Sequence, residues 1–136
     1  MNEREVRRLL SEYGLDRYAT VIVEGSRIRV IINYDPLRED KRRTLTLARR
    51  INGGRFIGIK AEELVEQLHM LTKNMEDVTL REEITIPRSR SGLSRLRRFL
   101  GIVQERIHDT DRKAREMRSL VRQVHFYAHE LLRSNR

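Results

Sequence analysis

The chain has 136 residues, which suits one domain or a small domain with an appendage, and carries 29 Lys+Arg against 20 Asp+Glu for a net charge of +9. It has no cysteine, which excludes a disulfide framework and any thiolate metal site. There is no apolar run of the roughly 18 residues a membrane span needs, and the polar start MNEREVRR is not a secretory signal, so a soluble, cytoplasmic protein without a membrane partner is expected.

In chain order, Asn2 with Glu5 three residues on forms a capping-box pattern, and Val6, Leu9, Leu10 and Tyr13 then fall on one helical face that Gly14 closes. The stretch YATVIVEGSRIRVIINY predicts a hairpin about Gly25-Ser26. Pairing about that turn sets Val23 against Ile28, Val21 against Val30 and Ala19 against Ile32, an apolar face that belongs to the core. The other face mixes Ile22 and Ile31 with Arg27 and Arg29. Asp35-Pro36 reads as a helix start with proline at the first position. The helix would run through LREDKRRTLTLARRIN to Gly53-Gly54 on a thin stripe of Leu37, Thr44, Leu47, Ala48 and Ile51. A short strand RFIGI, a helix AEELVEQLHMLTKN and a strand VTLREEITI ended by Pro87 complete the first part.

From Leu93 the apolar positions step by three and four without a break through Leu96, Leu100, Val103, Ile107, Thr110, Ala114, Met117, Val121, Val124, Ala128 and Leu131. Only Thr110 is polar, so this is a heptad seam on one long helix. A helix of that length exceeds what the preceding 86 residues can cover, so the seam predicts pairing with another copy, as a dimer or a larger oligomer. Leu120, Tyr127 and Leu132 widen the stripe, which suits more than two strands or packing back on the globular part. An antiparallel hairpin breaking at His108–Asp111 is the alternative. The expected class is α+β, a small mostly antiparallel sheet with packed helices followed by a long C-terminal coiled-coil helix. The expected domains are 1–86 for nucleic-acid binding, 87–92 as a basic linker and 93–136 for oligomerisation.

Charge follows this division. Residues 1–86 hold 16 basic against 15 acidic side chains, and residues 87–136 hold 13 against 5. Such a basic segment attracts nucleic acid or an acidic surface. Arginine supplies 25 of the 29 cations, which suits bidentate phosphate contacts. It also suits a high-GC genome or, with the dense charge and missing cysteine, a thermophile. The stretch PRSRSGLSRLRR, Pro87 to Arg98, has five arginines and no acid. It places Arg88 and Arg90 on a mobile arm and Arg95, Arg97 and Arg98 on the first helical turns. The broken basic segment argues against the continuous major-groove helix of a leucine-zipper transcription factor.

No phosphate-binding glycine loop, dinucleotide fingerprint or zinc-protease motif is present. His125 and His129 stand four apart, a metal-ligand spacing without a third ligand. Neither an active site nor a cofactor is expected.

The hairpin YATVIVEGSRIRVIINY, the basic linker and the heptads from Leu93 to Leu131 together resemble the layout of ThermoDBP and its related proteins, single-stranded DNA-binding proteins of hyperthermophilic archaea. The resemblance implies a cleft with an apolar floor and basic walls, with assembly through the C-terminal helix. Single-strand binders combine a cationic groove with surfaces on which bases stack. The candidate contacts are Arg27, Arg29, Lys41, Arg42, Arg43, Arg49, Arg50, Arg55, Arg88, Arg90, Arg95, Arg97 and Arg98 for phosphates. Phe56, Tyr18 and Tyr34 are the candidate stackers. The expected function is non-enzymatic, largely sequence-independent binding of single-stranded DNA or RNA. A duplex-binding regulator or chromatin-type protein, and a coiled-coil assembly protein with an acidic partner, stand as alternatives.

Overall fold

The computed structural model describes residues 1–54 and 59–134. They form two compact units, each drawn from two stretches of chain: 1–34 with 80–110, and 35–79 with 111–136. This division cuts across the one expected at residues 86 and 93. The class is α+β, with one three-stranded antiparallel sheet and a long C-terminal helix.

The first unit opens on helix α1 (Glu3–Glu12), whose first turn is capped by the Asn2 side-chain Oδ1 accepting from the Glu5 amide at 2.9 Å. Gly14 follows with φ +71°, the left-handed conformation that ends the helix. Strands β1 (Ala19–Glu24), β2 (Arg27–Tyr34) and β3 (Leu80–Pro87) lie in the order β1-β2-β3. The hairpin register is the one read from the sequence, with Val23 opposite Ile28, Val21 opposite Val30 and Ala19 opposite Ile32. Gly25 has φ +60° and Ser26 does not share it, the pattern of a type II′ turn.

On β2 the inward residues Ile28, Val30 and Ile32 are fully buried, and with Ile86 of β3 they meet Val6, Leu9 and Leu10 of α1. Leu96, Leu100 and Val103 complete this core from helix α4 (Arg90–Ser134). Val23 departs from the expected core face and is 41% exposed, because it stands near the turn on the open edge strand. Tyr18 and Tyr34 stack edge to face, centroids 4.7 Å apart, and neither is fully exposed, so they serve packing.

The basic stretch is anchored, contrary to the mobile arm expected. The Arg88 amide donates to the Ser26 carbonyl at 3.1 Å, and its guanidinium donates to the carbonyls of Met1 and Gly25. Helix α4 begins at Arg90, three residues before the first seam leucine. Gly92 permits that early start: a Cβ there would lie 2.0 Å from the Pro87 carbonyl oxygen.

The second unit is built of helices α2 (Arg38–Asn52), α3 (Ile59–Glu76) and the last part of α4. Leu47, Ala48 and Ile51 of α2 pack with Leu64, Leu68, Leu71 and Met75 of α3 and with Ala114, Val121, Val124 and Ala128 of α4. The thin stripe expected for α2 is sufficient because Thr44, fully buried, returns its hydroxyl proton to the Asp40 carbonyl at 2.8 Å. The helix starts at Arg38 rather than at Pro36, and Asp35 makes no cap, its carboxylate holding Lys41 Nζ at 2.8 Å instead. It stops at Gly53-Gly54 as expected, with the Gly53 amide bonded to the Arg49 carbonyl. Most of the strand expected at RFIGI lies outside the described residues, and Ile59 opens α3.

The heptad seam is covered by the chain's own elements, which corrects the premise that it needs a second copy. Leu96, Leu100 and Val103 are fully buried in the first unit, where Leu93 and Ile107 pack beside them. Ala114, Val121, Val124 and Ala128 are buried in the second, flanked by Met117 and Leu131. Thr110 satisfies its hydroxyl on the Arg106 carbonyl at 2.9 Å. Helix also runs through His108–Asp111, where the alternative placed a hairpin break. A three-four spacing defines one apolar face and says nothing about what covers it.

Candidate nucleic-acid interface

The candidate site lies in the second unit, between the outward flank of α2 and one flank of α4. On α2, Arg43, Leu47 and Arg50 recur at helical spacing, with Arg42 and Thr46 beside them. On α4, the residues just outside the buried stripe are Arg118, Arg122, His125, His129 and Arg133, at steps of four, three, four and four. No acid interrupts either set.

Between these flanks runs an open groove of about 730 Å³ lined by Arg42, Arg43, Thr46, Leu47, Arg50, His125 and His129. A second hollow of about 340 Å³ continues from it, sharing Arg50 and His129 and adding Leu132 and Arg133. The combined surface therefore presents four guanidinium groups and two imidazoles, and no carboxylate lines it. Two of the four guanidinium groups are partly compensated, Arg42 by Glu39 at 2.6 Å and Arg133 by Glu130 at 3.2 Å, but these side chains are well exposed and the pairs are weak.

His125 is the ordered member. Its Nε2 lies 2.6 Å from the Thr44 hydroxyl oxygen. That hydroxyl donates its single proton to the Asp40 carbonyl, so toward His125 it accepts, and Nε2 carries the imidazole proton. Burial pushes His125 below the ordinary imidazole range; His129 and Arg43 act in the same direction and Asp40 opposes them. Arg118 secures the same pair of helices by donating to the Pro36 carbonyl at 3.1 Å, with Asp40 at 3.9 Å.

Phe126 lines neither hollow; it is 61% exposed and edge to face with Tyr127, ring centroids 5.9 Å apart. It follows Arg122 by four residues and precedes His129 by three, so it shares their stripe.

The structure gathers Arg42, Arg43 and Arg50 of the expected residues into this groove. Arg49 is exposed on α2 but does not line it. Lys41 is turned to Asp35, with only 15% of its side chain exposed. In the first unit, Arg27 is exposed on the outer sheet face, and Arg29 is bracketed by Glu24 at 3.5 Å and Glu83 at 3.4 Å. That face is thus largely charge-compensated rather than cationic. Arg88 holds the hairpin tip, whereas Arg90, Arg95, Arg97 and Arg98 are exposed on the first turns of α4. Arg55 and Phe56 lie outside the described residues.

Sequence reading missed His125, His129, Arg133 and Phe126 as parts of one surface. The available signal was the acid-free run of cations along one flank of the helix. Among the described residues no group of three or more His, Cys, Asp or Glu side chains is placed to hold a metal. Among them, too, no helix is long and apolar enough to cross a membrane. No family model, no curated protein and no solved structure matches the chain.

Proposed function

We propose that the protein is a non-enzymatic, largely sequence-independent binder of single-stranded nucleic acid, DNA or RNA, acting in the cytoplasm. The observation that carries this reading is the acid-free cationic groove lined by Arg42, Arg43, Arg50, His125 and His129, continued by Arg133. Guanidinium groups suit phosphate oxygens bidentately, and such contacts position a backbone without reading its bases. The exposed ring of Phe126, four residues after Arg122 and three before His129 on α4, offers a face on which an unpaired base stacks, a contact closed to the bases of an intact duplex. The layout resemblance to the ThermoDBP family implies the same ligand.

Fluorescence anisotropy with a labelled mixed-sequence oligonucleotide, as single strand and as duplex, tests the reading. Tighter binding of the single strand, weakening steeply with salt, is expected. Equal affinity for the duplex removes the single-strand claim, and a footprint confined to one duplex sequence favours a regulator instead.

A further inference from the structure

We propose that His125 is a phosphate contact of the groove that takes its anion together with a proton, so that single-strand affinity rises as pH falls. This deepens the reading of the groove given above and rests on it for the anion. The Nε2 proton of His125 is directed to the Thr44 hydroxyl oxygen at 2.6 Å, which leaves the lone pair of the neutral ring on Nδ1. Among the described residues, the side-chain polar atoms both buried and without a hydrogen bond are Arg29 Nε and Asp35 Oδ1. Nδ1 receives no hydrogen bond from them, so it is open to solvent, on a side chain that lines the groove. A phosphate diester offers only acceptor oxygens. Against these a bare Nδ1 repels, whereas a protonated Nδ1 donates. Neutral His125 is therefore the mismatched member of a wall whose arginines are donors only. Thr46 does not make up for it, because its hydroxyl proton goes to the Arg42 carbonyl at 2.9 Å.

The surroundings of the ring hold it neutral in the free protein and favour the proton once an anion arrives. Burial disfavours the imidazolium most; His129 of α4 and Arg43 of α2 add to this, and Asp40 of α2 opposes them. Arg42 and Arg50 of α2 line the same groove, and Arg122 stands three residues earlier on α4. Arg118 lies 3.9 Å from Asp40 and so weakens the one carboxylate that favours the proton. A bound phosphate reverses this balance. It offsets the guanidinium charges and gives Nδ1–H an acceptor for a charge-assisted hydrogen bond. The proton comes from solvent and adds to Nδ1 while Nε2–H stays on Thr44, so the ring keeps its place. By reciprocity, binding that favours the imidazolium makes protonation favour binding by the same factor. One coupled proton changes affinity at most about tenfold per pH unit, between the titration points of the free and bound protein.

The test uses the full chain and a labelled thymidine oligonucleotide without a terminal phosphate, in which no group titrates near neutral pH. Between about pH 8 and about pH 5.5 at fixed ionic strength, its affinity by fluorescence anisotropy should rise about tenfold. His125→Asn, with helicity checked by circular dichroism, should lose most of that rise. NMR titration of the four histidines gives a second readout, with the His125 signal assigned by its absence from the variant. Bound oligonucleotide should raise the His125 midpoint by about one pH unit. It should leave His69, on α3 and outside the groove, nearly in place. A His125 midpoint unmoved by bound oligonucleotide, or a rise kept in full by the variant, overturns the proposal. If the oligonucleotide binds at no pH, the nucleic-acid reading fails by itself, and sulfate becomes the probe. A His125 midpoint higher in sulfate than in chloride at equal ionic strength then supports the proton-linked anion site, and an equal midpoint overturns it.

Discussion

Thr44 of α2 and His125 of α4, 81 positions apart in the chain, meet at 2.6 Å, and the threonine proton committed to Asp40 fixes which imidazole nitrogen bears hydrogen. This contact seats the imidazole in the groove wall and ties the two flanking helices together.

Its first consequence is a pH dependence. His125 titrates below the ordinary value, first because it is buried. The unfolded chain takes up the proton near pH 6.5 and the folded protein only at lower pH. Between these values the unfolded state binds more protons, so stability rises with pH. The contribution is complete above about pH 6.5 and is lost as pH falls toward the folded value. Urea midpoints measured from neutral to mildly acidic pH should fall, and His125→Asn should flatten that fall.

The seam as internal core predicts a second effect. Leu100→Ala removes a fully buried side chain facing the sheet and α1 and should destabilise by about 2–5 kcal/mol. Denaturant unfolding reads the loss. The association constant of the native protein should not change, whereas a seam shared between copies would lose both together.

Gly92 permits only a backbone hydrogen toward the Pro87 carbonyl, since a Cβ would stand 2.0 Å from that oxygen. Gly92→Ala therefore forces the strand end and the helix start apart, with an expected loss of about 1–3 kcal/mol. An unchanged melting temperature would show that the junction yields freely.

The parts of the fold legible in sequence were those set by local periodicity. The hairpin register followed from the alternation of Val21 and Val23 against Ile28 and Val30 about a glycine turn, and the structure reproduces it. The face of α4 was equally legible, but its cover was not, because a three-four repeat looks alike whether a sheet, two helices or another copy lies over it. The groove was less visible still. His125 and His129 read on one helix suggest only a metal pair; beside Arg43 and Arg50 of α2 they become an anion surface. Arg29, Lys41 and Arg88 looked free in sequence because Glu83, Asp35 and Gly25, which hold them, are set against them by the fold.

Phe126 gives a fourth expectation. Its ring is exposed on α4, so Phe126→Ala should leave thermal stability nearly unchanged. A stacked base contributes about 1–3 kcal/mol by alanine substitution, so single-strand affinity should drop roughly 5- to 150-fold while duplex affinity stays the same. Equal losses for both forms would remove the stacking role.

The most direct test of the groove is the salt dependence of single-strand binding in the wild type and in a double variant, Arg43→Gln with Arg50→Gln. Each phosphate neutralised on a single strand contributes about 0.7 to the steepness of the log–log plot, so losing two contacts should flatten it by about 1.4. A matched pair on the first turns of α4, Arg97→Gln with Arg98→Gln, should leave the slope unchanged. A slope unaffected by the groove variant and flattened by the α4 pair would contradict the account.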